Sequence, residues 1–367
     1  MSTNERQAPD QRVLDIRTPS PPALLADPLL GTLLAWVGPQ ARTCIATDQT
    51  QPPFQAQVVN PDWISRETPA LALALDWGRI YLAWVDETGA ILLANSADGW
   101  TETIVVAPAG SSDVGPALAF DGNVVYVAWT SRDNRLFLAT CDADGNVDWR
   151  PTEKRALSRP ALTWSDGSLY VLTGGNLEFD DRSMRFYLST DSGASFVDLP
   201  AQVGSSIGPP SLAVANGYHY LVWADGETSR LSFAATQDLT SYAPTRFSDG
   251  CHQGGPAVVQ AGGLIAAWTY GAPPEDPRNH RLTLAKLPLS TAVPEMNPER
   301  YADTPQKRAK APCPDPTTIW DPAKRKCVSK TGCWGACVTS SYSSAWGIGP
   351  VFNPIAYAAC VALCKKG

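Results

Sequence analysis

Pro69-Ala-Leu-Ala-Leu-Ala-Leu75, a short turn and Ile80-Tyr-Leu-Ala-Trp84 make one phrase, and this chain repeats the phrase six times in all. Each copy reads Pro-small-Leu (Val in the last), a turn, an apolar stretch closing on Trp, then a second apolar stretch. The copies start at Pro22, Pro69, Pro116, Pro160, Pro210 and Pro256, in steps of 47, 47, 44, 50 and 46 residues. Their closing positions are Trp36, Trp84, Trp129, Thr173, Trp223 and Trp268. A period in this range with several short strands per unit is the mark of a β-propeller.

One copy supplies all four strands of a blade. Pro69–Leu75 is the inner strand, Ile80–Trp84 the second, Ile91–Asn95 the third and Glu102–Ala107 the outer one. Asp121-Gly122, Asp166-Gly167 and Asn216-Gly217 fall between first and second strands and predict two-residue primed turns, which need positive φ. The sixth copy runs out after Arg281–Lys286, so Arg12-Val-Leu-Asp-Ile-Arg17 is predicted to return as its outer strand and close the ring. The expected fold is all-β: a six-bladed propeller of four-stranded antiparallel blades over 13–288. A flexible 1–12 precedes it, and a Pro-rich linker at 289–312 leads to a Cys-rich helical domain at 313–367.

Composition bounds the function. The 367 residues are 44% hydrophobic and 18% charged, with 13 Trp, which suits an all-β protein and not a disordered one. A net charge of −7 argues against nucleic acid as a partner. The tail from Cys313 onward carries +4 and the rest −11. Membrane contact is therefore expected only through the tail, and a monomer without cofactor or metal is expected. The first residues have no apolar segment of the secretory kind.

Six of the nine cysteines lie in the last 55 residues. Cys333 and Cys337, and Cys360 and Cys364, are spaced to share a helix face, and Asn353-Pro354 is a good helix start. Pairing Cys333–Cys364 and Cys337–Cys360 would staple two helices and leave Cys313–Cys327, one of 15 connectivities. Zinc ranks below disulfides, since no His follows His280. Disulfides imply an extracellular or cell-surface setting, without a visible signal peptide. Cys44, Cys141 and Cys251 are read as buried free thiols.

The stretch from Pro22 to Trp36 resembles the opening strand pair of sialidases, where an Arg-Ile-Pro motif leads into a similar hairpin. Ser189-Thr-Asp-Ser-Gly-Ala-Ser-Phe196 is similar to the Asp box that repeats in such propellers, and Ser96–Trp100 and Thr140–Gly145 are weaker copies. The resemblance implies the fold over 13–288. It also implies an arginine two residues before the Pro, to hold a substrate carboxylate. Here that position is Ser20, with Pro21 for the Ile; Arg17-Thr-Pro19 has the spacing but stands three residues upstream. No Tyr-Glu nucleophile pair or Asp acid/base can be matched, so the expected protein is a sialidase-like propeller without sialidase activity.

Ligands of propellers bind on loops at the axial funnel. Here those loops offer Trp63, Arg66, Arg132, Asp133, Glu178, Arg182, Glu227, His252, Gln253 and Tyr270, groups able to hold sugar hydroxyls and stack on a ring. The strand-end Trp residues are read as packing between blades and not as sugar sites. Three functions follow: a binding module for glycans or a cell surface, a carrier of a tail resembling small Cys-rich bacteriocin-like peptides, and a glycoside hydrolase with a divergent site.

Overall fold

The structure is a computed structural model. It describes residues 12–287 except for short stretches (28–30, 51–52, 75–76, 176–182, 200–203, 207, 227–229, 238, 240–243, 251–254, 262 and 271–279). It also describes the backbone of 318–321, 326–329, 342–343 and 351–352; 245–250 and Tyr270 are described by backbone alone.

Each repeat proline leads into the inner strand of a blade: Ala23–Asp27, Ala70–Ala74, Ala117–Phe120, Ala161–Ser165, Ser211–Ala215 and Ala257–Gln260. Each inner strand starts a four-stranded antiparallel sheet, and the six inner strands contact one another in a closed ring. The sixth sheet is completed by Arg12–Thr18, which pairs with His280–Leu287 through Arg12 opposite Leu284, Val13 opposite Thr283, Arg17 opposite Arg281 and Thr18 opposite His280. The N-terminal strand thus closes the ring, as the repeat pattern requires.

The core is split into six clusters, one between each pair of neighbouring blades. A blade therefore buries both faces. This is why second strands such as Arg79–Val85 are apolar without alternation. Trp36, Trp84, Trp129, Trp223 and Trp268 each pack toward the preceding blade, at most 2% exposed. The blade 3–4 interface, where the repeat offers Thr173, has its aromatic pair nearer the hairpin-turn end instead, with Tyr126 and Trp164 stacked 5.6 Å apart.

Asp166 and Gly167 (φ 49° and 76°) and Asn216 and Gly217 (φ 52° and 73°) are both left-handed, the geometry of a primed turn. Asp121-Gly122 departs from expectation. Phe120 pairs with Val125, so the loop has four residues, and Asp121 Oδ1 accepts from the Asn123 and Val124 amides at 2.7 and 2.8 Å. The aspartate side chain here satisfies a longer loop. At the same end of the molecule Asp191 accepts from the Ser195 amide and hydroxyl at 2.9 and 2.6 Å, while Ser189 Oγ accepts from the Gly193 amide at 2.8 Å. These bonds, the Ser195 hydroxyl first, hold the Asp191 carboxyl down at about 2.

A second repeat lies four residues before the prolines. Thr18, Ser65, Ser112 and Ser206 are fully buried there, and each hydroxyl donates to the carbonyl two residues on, at 2.8, 2.7, 2.8 and 2.6 Å. These bonds pin the crossings from one blade to the next. Cys44 and Cys141 are buried and free, and burial pushes the Cys141 thiol up to about 12. Cys251 lies outside the described residues.

His219 sits between blades 4 and 5, 7% exposed, edge-on to Tyr170 at 4.6 Å. Neither ring nitrogen has a hydrogen-bond partner among the described residues. Burial pushes its pKa down, outweighing the nearby Thr236 backbone and the attraction of Asp166. The folded chain therefore binds a proton less readily than the unfolded chain, and stability falls as pH drops through the region below about 6.5. His219→Phe should remove this acid sensitivity and raise stability at pH 5 by on the order of 1 kcal/mol. Urea midpoints at pH 7 and 5 check this; an unchanged pH dependence in the variant would refute it.

In the tail the described pieces are strands: Thr318–Asp321 pairs with Lys326–Ser329, setting Cys327 opposite Trp320, and Tyr342–Ser343 pairs with Val351–Phe352. The expected helices carrying Cys333, Cys337, Cys360 and Cys364, and Cys313, lie outside the described residues. No helical domain is seen among the described residues of the tail.

Candidate functional site

Loops from outer to next inner strand, and from second to third strand, meet at one end of the ring. There a cavity of about 770 Å³ opens across blades 6, 1 and 2. Arg17 and Pro19 line it from the closing strand and its exit, Val37–Ala41 from blade 1, Ile64–Arg66 from the crossing into blade 2, and Glu87 from the blade 2 loop.

Its blade 1 wall is backbone held in an unusual shape. Gln40 and Ala41 are both left-handed without being glycine (φ 60° and 58°). Such residues cost about 1–3 kcal/mol each unless their surroundings fix them. Here the Gly38 amide donates to the Arg42 carbonyl at 2.7 Å and the Ser65 amide to the Ala41 carbonyl at 2.8 Å. Gly38 has no freedom to change: a Cβ there would lie 2.5 Å from Cys44 Sγ.

Beside the cavity Asp113 binds two arginines. It accepts from Arg66 Nη1 at 2.8 Å, and from Arg132 Nε and Nη2 at 3.0 Å each, the fork-to-carboxylate geometry. Gly89 makes room for this: a Cβ there would meet the Ser112 carbonyl at 2.8 Å and Arg132 Nη2 at 3.1 Å. All three side chains are about half exposed, so the network fixes loop geometry more than it adds stability.

The sequence-derived candidates divide accordingly. Arg66 and Arg132 come together on Asp113, and Arg66 also lines the cavity. Asp133 lies apart, exposed, accepting from Ser131 Oγ and paired with Arg135 at 3.1 Å; these contacts, the Ser131 bond first, lower its pKa. Trp63 stacks on Trp84 at 4.6 Å, so one face of its indole belongs to the blade 1–2 core. Tyr270 ends the strand Leu264–Tyr270, opposite Arg281. Glu178, Arg182, Glu227, His252 and Gln253 lie outside the described residues.

Arg17 and Glu87 line the cavity too, although the sequence marks Glu87 only as part of a funnel loop. The signal for Arg17 was its spacing to Pro19. Arg17 stands directly before Thr18, the place that Ile64 holds before Ser65, and both residues line the cavity.

No family model matches the sequence, and no curated protein is similar to it. Solved structures are similar in fold. Trypanosoma rangeli sialidase superposes with a TM-score of 0.54 at 13% identity, over 76% of this chain and 60% of that one, so the chain spans well under two thirds of the sialidase's length. The SapL1 lectin, solved with alpha methyl fucoside, gives 0.51 at 13% identity over 69% of this chain and 89% of the lectin. A triple arginine mutant of AofleA from Arthrobotrys oligospora gives 0.56 at 10% identity over 74% and 89%. Six four-stranded blades, a ring closed by the N-terminal strand and these superpositions together make the chain a six-bladed β-propeller of the kind built by sialidases and by lectins.

Proposed function

We propose that this propeller is a non-catalytic glycan-binding module, and that the cavity over blades 6, 1 and 2 is its site. One observation carries the reading: a cavity of about 770 Å³, inside the usual range for small-ligand sites, has Arg17 and Arg66 as donors and Glu87 as acceptor in its lining. Sugar hydroxyls both donate and accept, and they suit such a mixed lining. Glycosidases act with two carboxylates across the scissile bond, whereas among the described residues the cavity lining contributes one, Glu87. Asp113 further engages Arg66 and Arg132, drawing the Arg66 fork away from a substrate carboxylate. A glycan ligand sets the work of the propeller at a cell surface or outside the cell.

A glycan array probed with the full chain, followed by titration of the best glycan, tests this. Arg17→Ala and Arg66→Ala should each weaken binding about 10- to 100-fold, the effect of losing a hydrogen bond from a charged donor. Absence of any glycan binding, or binding indifferent to both variants, removes the assignment of this site. Release of sialic acid from a fluorogenic sialoside by the pure protein removes the word non-catalytic.

A further inference from the structure

The end of the ring opposite the cavity has a charge of its own. The turns from first to second strand and from third to outer strand lie there, and none of them contains Lys or Arg. Blade 2 places Asp98 and Glu102 in these turns, blade 3 Asp142 and Asp144, and blade 4 Asp166 and Asp191. Among the described residues none of these six carboxylates has an ion-pair partner. The described pairs are three at the cavity end, on Asp113 and Asp133, and Lys154 with Asp198 between outer strands. Arg79, which starts the second strand of blade 2, donates to the Ala143 carbonyl at 3.3 Å. The same blades show aromatic rings at this end. Trp77 meets Phe120 edge-on at 4.8 Å, and both rings are partly open. Trp149, the third residue of the outer strand of blade 3, is 45% exposed and lies 5.8 Å from Phe137. Carboxylates without partners beside open aromatic rings suit a segment rich in Lys and Arg, which gains from both.

The chain delivers such a segment to this end. Blades 1 to 5 turn back there into an outer strand, but in blade 6 the N-terminal strand holds that place. His280–Leu287 therefore runs from the cavity end and leaves the ring at the turn end, with Leu287 opposite Leu264. Farther on, 322–367 contains Lys324, Arg325, Lys326, Lys330, Lys365 and Lys366 and no Asp or Glu. Residues 288–317 can span up to about 100 Å. A domain of this size has a radius of gyration of about 19 Å, so the whole turn end is within reach. One exposed ion pair contributes little, but several on one face add up, and a tether keeps the partner at high effective concentration.

We infer that the hairpin-turn end of blades 2 to 4 is the docking face for the chain's own cationic segment, 322–367. The inference goes beyond the glycan-binding reading, whose cavity lies at the opposite end of the ring. The test is carbodiimide cross-linking of the full chain, which joins a lysine amine to a carboxylate in contact with it. An equal mixture of unlabelled and heavy-isotope-labelled protein separates bonds within a chain from bonds between chains. At about 10 mM salt, bonds should form within one chain, from lysines of 322–367 to acids in the turns of blades 2 to 4. At about 1 M salt, where screening acts within about 3 Å, their yield should fall about fivefold or more. Glu102, Asp144 and Asp166 accept no backbone amide among the described residues, so their removal spares the turns. The triple variant Glu102→Gln, Asp144→Asn, Asp166→Asn should melt like the unaltered chain and lower the yield onto Asp98, Asp142 and Asp191 about five- to tenfold. If it melts lower, the salt dependence of the unaltered chain decides. Bonds between light and heavy chains put the segment on a second copy and overturn the inference. Bonds spread evenly to cavity-end acids such as Asp86 and Asp133, a yield that salt does not move, or no bond from these lysines overturn it as well.

Discussion

Removal of residues 1–18 should leave a chain that no longer melts as a cooperative unit. The deleted strand is the outer member of blade 6, and its partner strand His280–Leu287 would become an open edge. Leu14, 5% exposed, would also leave the cluster that joins blades 6 and 1, where it packs with Trp36, Leu282 and Leu284. Burial of one leucine is worth about 1.5–3 kcal/mol, and loss of the ladder adds to it. The sum approaches the whole stability of a typical domain, about 5–15 kcal/mol. Loss of the transition in calorimetry, with aggregation, is the expected result. A milder change, Leu14→Ala, should cost about 2–5 kcal/mol in urea unfolding. A soluble 19–367 fragment with the melting temperature of the full chain would show that ring closure contributes nothing.

Trp84→Ala should cost about 3–5 kcal/mol, the range for an emptied aromatic site. Trp84 is fully buried, stacked on Trp63, and surrounded by Leu33, Ala35, Leu71 and Leu82 from two blades. Its indole nitrogen is buried without a hydrogen-bond partner among the described residues. Trp84→Phe therefore gives up volume but no hydrogen bond, and should cost under about 1.5 kcal/mol. Urea midpoints separate the two variants. Should Trp84→Ala melt like the unaltered chain and lose glycan binding instead, the recurring tryptophans would be sugar platforms and not packing.

The blades were legible because the repeat prolines, the closing tryptophans and two of the three Asn/Asp-Gly pairs each impose a local geometry that does not depend on the rest of the molecule. The ring closure was legible for a related reason: a blade one strand short needs an outer strand, and Arg12–Arg17 has the right pattern. What the sequence concealed are features made by two distant segments. The clamp of Asp113 on Arg66 and Arg132 joins residues 47 and 19 positions apart, and no periodicity announces it. The hydroxyls at Thr18, Ser65, Ser112 and Ser206 keep a constant offset from the prolines. They escaped notice because a lone Ser or Thr in a loop is unremarkable until its burial is known. Arg17 reaches the cavity from the place directly before the Thr18 hydroxyl, the place Ile64 holds one blade on, and only the folded ring shows that this place faces the cavity.

The closing strand also fixes an order of events during synthesis. Arg12–Thr18 leaves the ribosome before every other strand of the propeller, yet its partner His280–Leu287 is the last of them to be made. At about 5–20 residues per second, the first strand waits on the order of ten to sixty seconds for the last. Blades 1 to 5 can stack one after another in that interval, but the circle has no final member until blade 6 emerges. A nascent chain arrested before residue 280 holds an orphaned strand at one end and an uncovered blade face at the other, so quality-control factors would meet their target in that window.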